Sequence, residues 1–158
     1  MIIFSDVDGV LTDGFFYHNE KSDLIKAFST RDFHAINAFS LEGFKFIFLT
    51  ASSDWCTRTK FNSYDLMLLS GCKNKKSAVI QLCSQFNCSP SDCIFIGDGP
   101  QDVLAMMLCG RRFCPNNSAQ LMYETENVQR LDSVGGGGVV DEMLYKVFPE
   151  EYKRILLK

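Results

Sequence analysis

The sequence predicts an α/β fold, a parallel sheet flanked by helices, in one domain spanning 1–158. Three observations carry this. Short apolar runs alternate with stretches of helical period. The runs are apolar at successive positions, as strands covered on both faces are. Polar residues gather just after the runs, where sites form in open parallel sheets. A chain of 158 residues is about one domain and can bury a core without staples.

Taken in order, residues 2–4, 46–49, 66–69 and 93–96 read as buried strands. Amphipathic segments at about 32–41, 54–61, 75–86 and 101–108 read as helices between them. Ser89-Pro90-Ser91-Asp92 is a turn. A last short strand, 112–114, is closed by Pro115, and helices are expected at 118–125 and 139–147. Such alternation implies parallel strands joined by helical crossovers. One segment interrupts it. Phe15-Phe16-Tyr17-His18, the polar Asn19-Glu20-Lys21-Ser22-Asp23, and Leu24-Ile25-Lys26-Ala27-Phe28 read as a small β-hairpin insertion over about 15–28. A lone hairpin is marginal in water, so this one needs a packing partner. His18 and His34 read as a hairpin surface residue and a helix residue.

The formal net charge of −3 argues against a general nucleic-acid-binding role. No apolar stretch reaches the roughly 18 residues needed to span a bilayer, so no membrane partner is expected. The opening apolar run lacks a preceding basic segment and reads as a strand, not a signal peptide. Seven cysteines, an odd count, suit reduced thiols and a cytoplasmic location. Cys83, Cys88 and Cys93, separated by four residues each, raise the question of zinc. Cys83 falls on the apolar face of Val79, Leu82 and Phe86, so core packing is the reading here.

The chemistry lies in four polar clusters at strand ends. Asp6 and Asp8 follow the first strand, Thr50 the second, Lys75 opens the helix after the third, and Asp98 and Asp102 follow the fourth. Taken singly, each has a bland explanation as a cap, a turn or a solvated face. Two close carboxylates at a strand end, however, repel each other without a cation. Together the clusters suit metal-assisted phosphoryl transfer. Asp6, Asp98 and a main-chain carbonyl can hold Mg²⁺, which prefers hard oxygen ligands. Lys75 adds positive charge, and Thr50 with nearby backbone N–H groups can grip phosphate oxygens. Asp6 can attack phosphorus as a nucleophile, and Asp8 can protonate the leaving oxygen and later activate water. Gly9 permits the sharp turn that follows.

These residues resemble the haloacid dehalogenase phosphatase superfamily. Asp6-Val7-Asp8-Gly9-Val10 is similar to its first motif, Thr50 to its second, Lys75 to its third, and Gly97-Asp98 with Asp102 to its fourth. Lys75 is preferred to Lys73 and Lys76 because the family's lysine stands four residues after a glycine, here Gly71. Asp6 to Gly14, Lys26-Ala27-Phe28, Arg31-Asp32 and Gly135 to Gly138 followed by Val139-Val140 resemble the 3-deoxy-D-manno-octulosonate 8-phosphate phosphatases and related nine-carbon sugar acid phosphatases. The resemblance implies a Rossmann-like haloacid dehalogenase fold and a Mg²⁺-dependent phosphomonoester hydrolase working through an aspartyl-phosphate on a phosphorylated 2-keto-3-deoxy sugar acid. It implies catalytic Asp6, Asp8, Thr50 and Lys75, metal residues Asp6, Asp8 and Asp98, and Asp102 in support. Thr50, Ala51 and Lys75 would bind phosphate; Arg31, Asp32, Gly135, Gly136, Gly137 and Gly138 would meet the sugar. Departures fall at Phe33, Ala51-Ser52, Gly99 and Gly137, where the family often has other residues.

Two other readings stay open: a phosphatase of a different small phosphomonoester, and a catalytically quiet oligomerisation domain of the same fold. A signalling receiver domain does not fit, because residues 66–70 lack a terminal aspartate. The spacings before Thr50 and before Lys75 leave no room for a cap domain. An open site and an aromatic hairpin together predict a homotetramer, as in the resembling family, in which hairpins associate and a neighbour roofs each site.

Overall fold

The computed structural model describes residues 1–21 and 23–157. Ser22, in the expected hairpin turn, and Lys158 lie outside the described residues. In chain order the strands are β1 (Ile2–Ser5), β2 (Tyr17–His18), β3 (Leu24–Ile25), β4 (Lys45–Leu49), β5 (Met67–Leu69), β6 (Ile94–Ile96), β7 (Arg111–Cys114) and β8 (Val128–Arg130). Six of them form one sheet in the order β5-β4-β1-β6-β7-β8, and every pairing is parallel. β2 and β3 pair antiparallel as a separate hairpin. The helices are α1 (Thr30–Leu41), α2 (Trp55–Asn62), α3 (Lys75–Gln85), α4 (Pro100–Met106), α5 (Gln120–Glu124), α6 (Val139–Val147) and α7 (Pro149–Leu156).

Strand alternation explains the two cores. Ile3, Phe46, Phe48, Ile94 and Ile96 point to one face, against Phe33 and Ile36 of α1 and Val140, Met143 and Leu144 of α6. Ile2, Phe4, Ile47, Leu49 and Phe95 point to the other, against Val79 and Leu82 of α3 and Ala105 of α4. Successive residues of a strand face opposite ways, so an all-apolar run fills two layers at once. Three helix starts are capped from the side chain. Ser29, Asp54 and Asn74 accept from the backbone N–H of Asp32, Thr57 and Ser77.

The structure adds two elements that the sequence reading lacks. β8 is an edge strand with only Val128 half-buried, so Val128-Gln129-Arg130 shows no apolar run. α7 starts at Pro149 with Glu150 and Glu151 in its first turn, and buries Ile155. The helix expected at 118–125 shortens to Gln120–Glu124, and the hairpin strands pair over two residues each. His18 and His34 are exposed. Between β1 and β4 lie only the hairpin and α1, and between β4 and α3 only α2 and β5, so no cap covers the sheet edge among the described residues. No helix among them is long and apolar enough to cross a membrane.

Candidate active site

Parallel pairing brings the ends of β1, β4 and β6 to one edge, and the ladder continues a residue beyond each strand. The Asp6 N–H donates to the Ile96 carbonyl at 2.9 Å, Thr50 to Leu69 at 3.0 Å, and Gly97 to Phe113 at 3.1 Å. The backbone therefore carries Asp6, Thr50 and Asp98 to the edge as direct extensions of the sheet.

Two of the carboxylates meet one lysine, and Asp98 lies beside them. The Lys75 ammonium lies 2.6 Å from Asp6 Oδ2 and 2.6 Å from Asp102 Oδ1. It is the first residue of α3 and is buried, whereas Lys73 and Lys76 are exposed. Asp102, in the first turn of α4, accepts with Oδ2 from the N–H groups of Asp98 and Gly99 at 3.1 and 3.2 Å. It thus holds both Lys75 and the loop carrying Asp98. Asp6 Oδ1 accepts from the Val7 N–H at 2.6 Å, and Gln101 Nε2 donates to Asp6 Oδ2 at 3.4 Å.

This group is over-supplied with negative charge. Burial and the neighbouring Asp102 push the Asp6 carboxyl up to about 7, although Lys75 pulls it down. Asp98 rises to about 6, through burial and then the Asp6 charge. Burial works against the Lys75 charge, but Asp6 and Asp102 outweigh it and keep the ammonium protonated. Among the described residues, Asp98 Oδ1 is buried with no hydrogen-bond partner. Carboxylate oxygens of Asp6, Asp98 and Asp102 all lie within 4.8 Å of one another. A partnerless buried oxygen among hard anionic donors fits a Mg²⁺-class cation. Gly9, at φ +87°, presses against this cluster: a Cβ there would collide with the Asp98 carboxylate.

Asp8 faces a different neighbourhood. Its carboxylate meets the Lys26 ammonium at 2.7 Å and accepts from Thr12 Oγ1 at 3.3 Å. Lys26 also reaches Asp54 at 2.8 Å and Thr57 Oγ1 at 3.2 Å. Asp54 accepts further from Ser52 Oγ at 2.7 Å and the Thr57 N–H at 2.7 Å. Burial would raise Asp54, but Lys26 and these donors hold it well below the usual carboxylate range. Sequence reasoning misses Lys26, Asp54, Ser52 and Gln101 as site residues. The available signal for Lys26 is a lone lysine in the run Leu24-Ile25-Lys26-Ala27-Phe28; its side chain is wholly buried.

An open cleft of about 400 Å³ lies over these groups, lined by Asp6, Asp8, Phe16, Thr50, Ala51 and Lys75 among others. The Thr50 hydroxyl accepts from the Ser52 N–H at 3.1 Å. The glycine segment packs on the loop after β1. The Gly136 N–H donates to Val10 at 2.9 Å, and a Cβ on Gly135 would strike the Gly9 carbonyl. Arg31 donates to the Gly137 carbonyl at 2.7 Å, and Gly138 adopts φ +99° against the Arg31 guanidinium. Asp32 is fully buried and accepts from the Asp141 N–H at 2.9 Å, at the start of α6. Arg31 and Asp32 therefore hold the glycine segment and α6 in place.

A sheet of this order, with an aspartate cluster and lysine at its carboxyl edge, defines a phosphotransfer-type hydrolase fold. Residues 49–129 match the family model of haloacid dehalogenase-like hydrolases, and the chain belongs to that family. Among curated proteins it is similar to the 3-deoxy-D-manno-octulosonate 8-phosphate phosphatase of Haemophilus influenzae, at 27% identity over 143 residues, covering 89% of this chain and 78% of that protein. Among solved structures, the Moraxella catarrhalis 3-deoxy-D-manno-octulosonate 8-phosphate phosphatase, in complex with magnesium, phosphate and KDO, superposes with a TM-score of 0.91 at 21% identity. That match covers 99% of this chain and 91% of the other. A hypothetical protein of Xanthomonas campestris gives 0.89 at 26% identity, covering 99% and 86%.

Proposed function

We propose that this chain is a Mg²⁺-dependent phosphatase of a phosphorylated 2-keto-3-deoxy sugar acid, either 3-deoxy-D-manno-octulosonate 8-phosphate or a nine-carbon analogue. The observation that carries it is the Asp6 carboxylate, set between Lys75 and the partnerless oxygen of Asp98. The curated relative's substrate supports the sugar acid. Asp6, Asp98 and the main chain of Asp8 would hold Mg²⁺, with Asp102 behind them. The ion would supply positive charge against the phosphate dianion.

The residues then divide the work. Thr50 Oγ1 and the Ala51 N–H receive phosphate oxygens, and Lys75 offsets their charge. An Asp6 oxygen attacks phosphorus; the bond from phosphorus to the sugar oxygen breaks, and that oxygen takes a proton from Asp8. Water then attacks the aspartyl-phosphate and gives a proton to Asp8. The bond from Asp6 to phosphorus breaks, releasing phosphate and restoring both carboxyl groups.

Steady-state kcat/KM across eight- and nine-carbon 2-keto sugar acid phosphates tests this, with and without chelator. One sugar acid should exceed glycerol phosphate by orders of magnitude, and activity should vanish on chelation and return with Mg²⁺. Chelator-resistant turnover, or a preference for glycerol phosphate, overturns the reading. A different small phosphomonoester is the second reading. The observation favouring it is that Arg31 is engaged by the Gly137 carbonyl and Asp141 within the chain.

The proposal includes a homotetramer. Phe15, Phe16, Tyr17 and Ile25 leave about half or more of their surface in water on a hairpin of two-residue strands. Phe16 also lines the open cleft, so hairpin packing would join assembly to the site. Phe16→Asp should give monomers in light scattering and lower kcat/KM for the sugar ester more than for an aryl phosphate. A monomeric, fully active wild type would refute it.

A further inference from the structure

At the opposite edge of the sheet, three cysteines converge, and local backbone chemistry explains how. α3 ends in a Schellman motif. The Asn87 N–H donates to the Ser84 carbonyl at 3.2 Å, the Cys88 N–H to the Cys83 carbonyl at 3.0 Å, and Asn87 takes φ +52°. This motif folds the residue in the Cys88 position back over the one in the Cys83 position. A short 3-10 turn, Pro90–Asp92, then returns the chain, with the Cys93 N–H donating to Pro90 at 2.9 Å. Cys93 therefore enters β6 beside the end of α3.

The result is a compact set of sulfurs. Cys83 Sγ and Cys93 Sγ are 3.7 Å apart, and the sulfurs of Cys83, Cys88 and Cys93 all lie within 4.8 Å of one another. Two thiolates at about 2.3 Å from a tetrahedral zinc ion stand roughly 3.8 Å apart. Cys83 and Cys93 are buried, whereas Cys88 is half-buried beside the exposed Ser89, which leaves a way in. All seven cysteines are free thiols. Cys83 does belong to the apolar core, as its place on α3 predicts. Core packing alone, however, does not require three sulfurs to share one point at the surface end of a strand.

We propose that Cys83, Cys88 and Cys93 form a thiolate site for a thiophilic divalent ion of the zinc class, at the sheet edge away from Asp6. Burial above all raises Cys83 and Cys93 above the ordinary thiol range, so these two thiols carry their protons without a metal. Binding exchanges those protons for the metal ion, which is the usual coupling of thiolate sites to proton release. Zinc involves no change of oxidation state, so no oxidant or reductant is needed. Water would supply a fourth ligand, reaching the ion past the half-buried Cys88.

The test uses Co²⁺ as the probe on the full, reduced chain, with Mg²⁺ in large excess to occupy the carboxylate site. A sulfur-to-cobalt charge-transfer absorption should appear, saturate at one equivalent and bleach on adding Zn²⁺. Cys88→Ser, at a half-buried position that leaves the core intact, should weaken Co²⁺ binding ~10-fold or more. Zn²⁺ should raise the melting temperature of the wild type but not of this variant. Cys56→Ser, on α2, should change nothing. Absence of the absorption in protein with all its thiols titratable overturns the proposal, as does a band that survives Cys88→Ser. A band lost with Cys72→Ser instead puts the ion beside Asp6 and overturns it too.

Discussion

Lys75 and Lys26 each bridge two aspartates at the same sheet edge, with different results. Around Lys75, Asp6 and Asp102 share one ammonium, and among the described residues the neighbouring Asp98 Oδ1 has no hydrogen-bond partner. Around Lys26, Asp8 and Asp54 are matched by the ammonium and by the hydroxyls of Thr12, Ser52 and Thr57. The inner group is short of positive charge and calls for a cation. The outer group is nearly satisfied, so it can fix the position of Asp8 without one. Two carboxylates a residue apart thus sit in different electrostatic surroundings.

The largest break should come from Asp6→Asn. It removes the proposed nucleophile, and kcat should fall by roughly 10⁴-fold or more. Removing a surplus negative charge should leave the melting temperature unchanged or higher. Activity near the wild-type level would contradict the charge-deficit reading of the inner group.

Asp8→Asn should cost about 10²- to 10⁴-fold on a sugar ester, the range for a lost general acid. On a nitrophenyl ester, whose leaving oxygen needs little protonation, the loss should be much smaller. Equal losses on both esters would count against Asp8 as proton donor.

Lys26→Met should test the outer group as a scaffold. It leaves Asp8 and Asp54 facing each other without their cation. The stability loss should fall at the low end of the ~3–5 kcal/mol for broken buried pairs, because Asp8 is still partly exposed. With Asp8 misplaced, kcat on the sugar ester should drop more than on the nitrophenyl ester, and Lys26→Arg should restore part of it. An unchanged ratio between the two esters would remove Lys26 from the positioning of Asp8.

Asp32 provides a buried carboxylate with no bridging lysine among the described residues, and the smallest effect. Burial pushes it up to about 6, against backbone donors that pull it down. Its folded-state value lies above its unfolded one, so the folded chain holds the proton more tightly. Ionisation then opposes folding, and stability falls as pH rises from about 4 to about 6. Asp32→Asn should flatten that part of the pH–stability curve, by up to roughly 3 kcal/mol, in denaturant unfolding at several pH values. Parallel curves for variant and wild type would contradict the assignment.

Much of the inner group is legible in the sequence. A buried parallel strand has a definite carboxyl end, so residues just after 2–4, 46–49 and 93–96 must meet at one edge. Lys26 and Asp54 are not legible in the same way. Asp54 also caps α2, and that local role fully accounts for it in one dimension. Lys26 reaches the site only because the hairpin folds over the sheet edge, a tertiary contact with no periodic signature. β8 is hidden for a related reason: an edge strand needs no apolar run. α7 does carry a start signal in Pro149-Glu150-Glu151, and Tyr152 and Ile155 mark its inner side.

β1 stands at the middle of the sheet, and its register fixes what must happen before the site can exist. Ile3 pairs with Phe46 on one side and Ile94 on the other, and the loop after β1 is closed by Gly136. The short stretch bearing both leading aspartates thus draws its shape from partners scattered over most of the chain. Closing such distant contacts is entropically slow compared with forming any one helix. Regain of turnover on refolding should therefore trail the return of helical signal, and a fragment ending before β6 would contain Asp6, Asp8, Thr50 and Lys75 yet have no centre in which to use them.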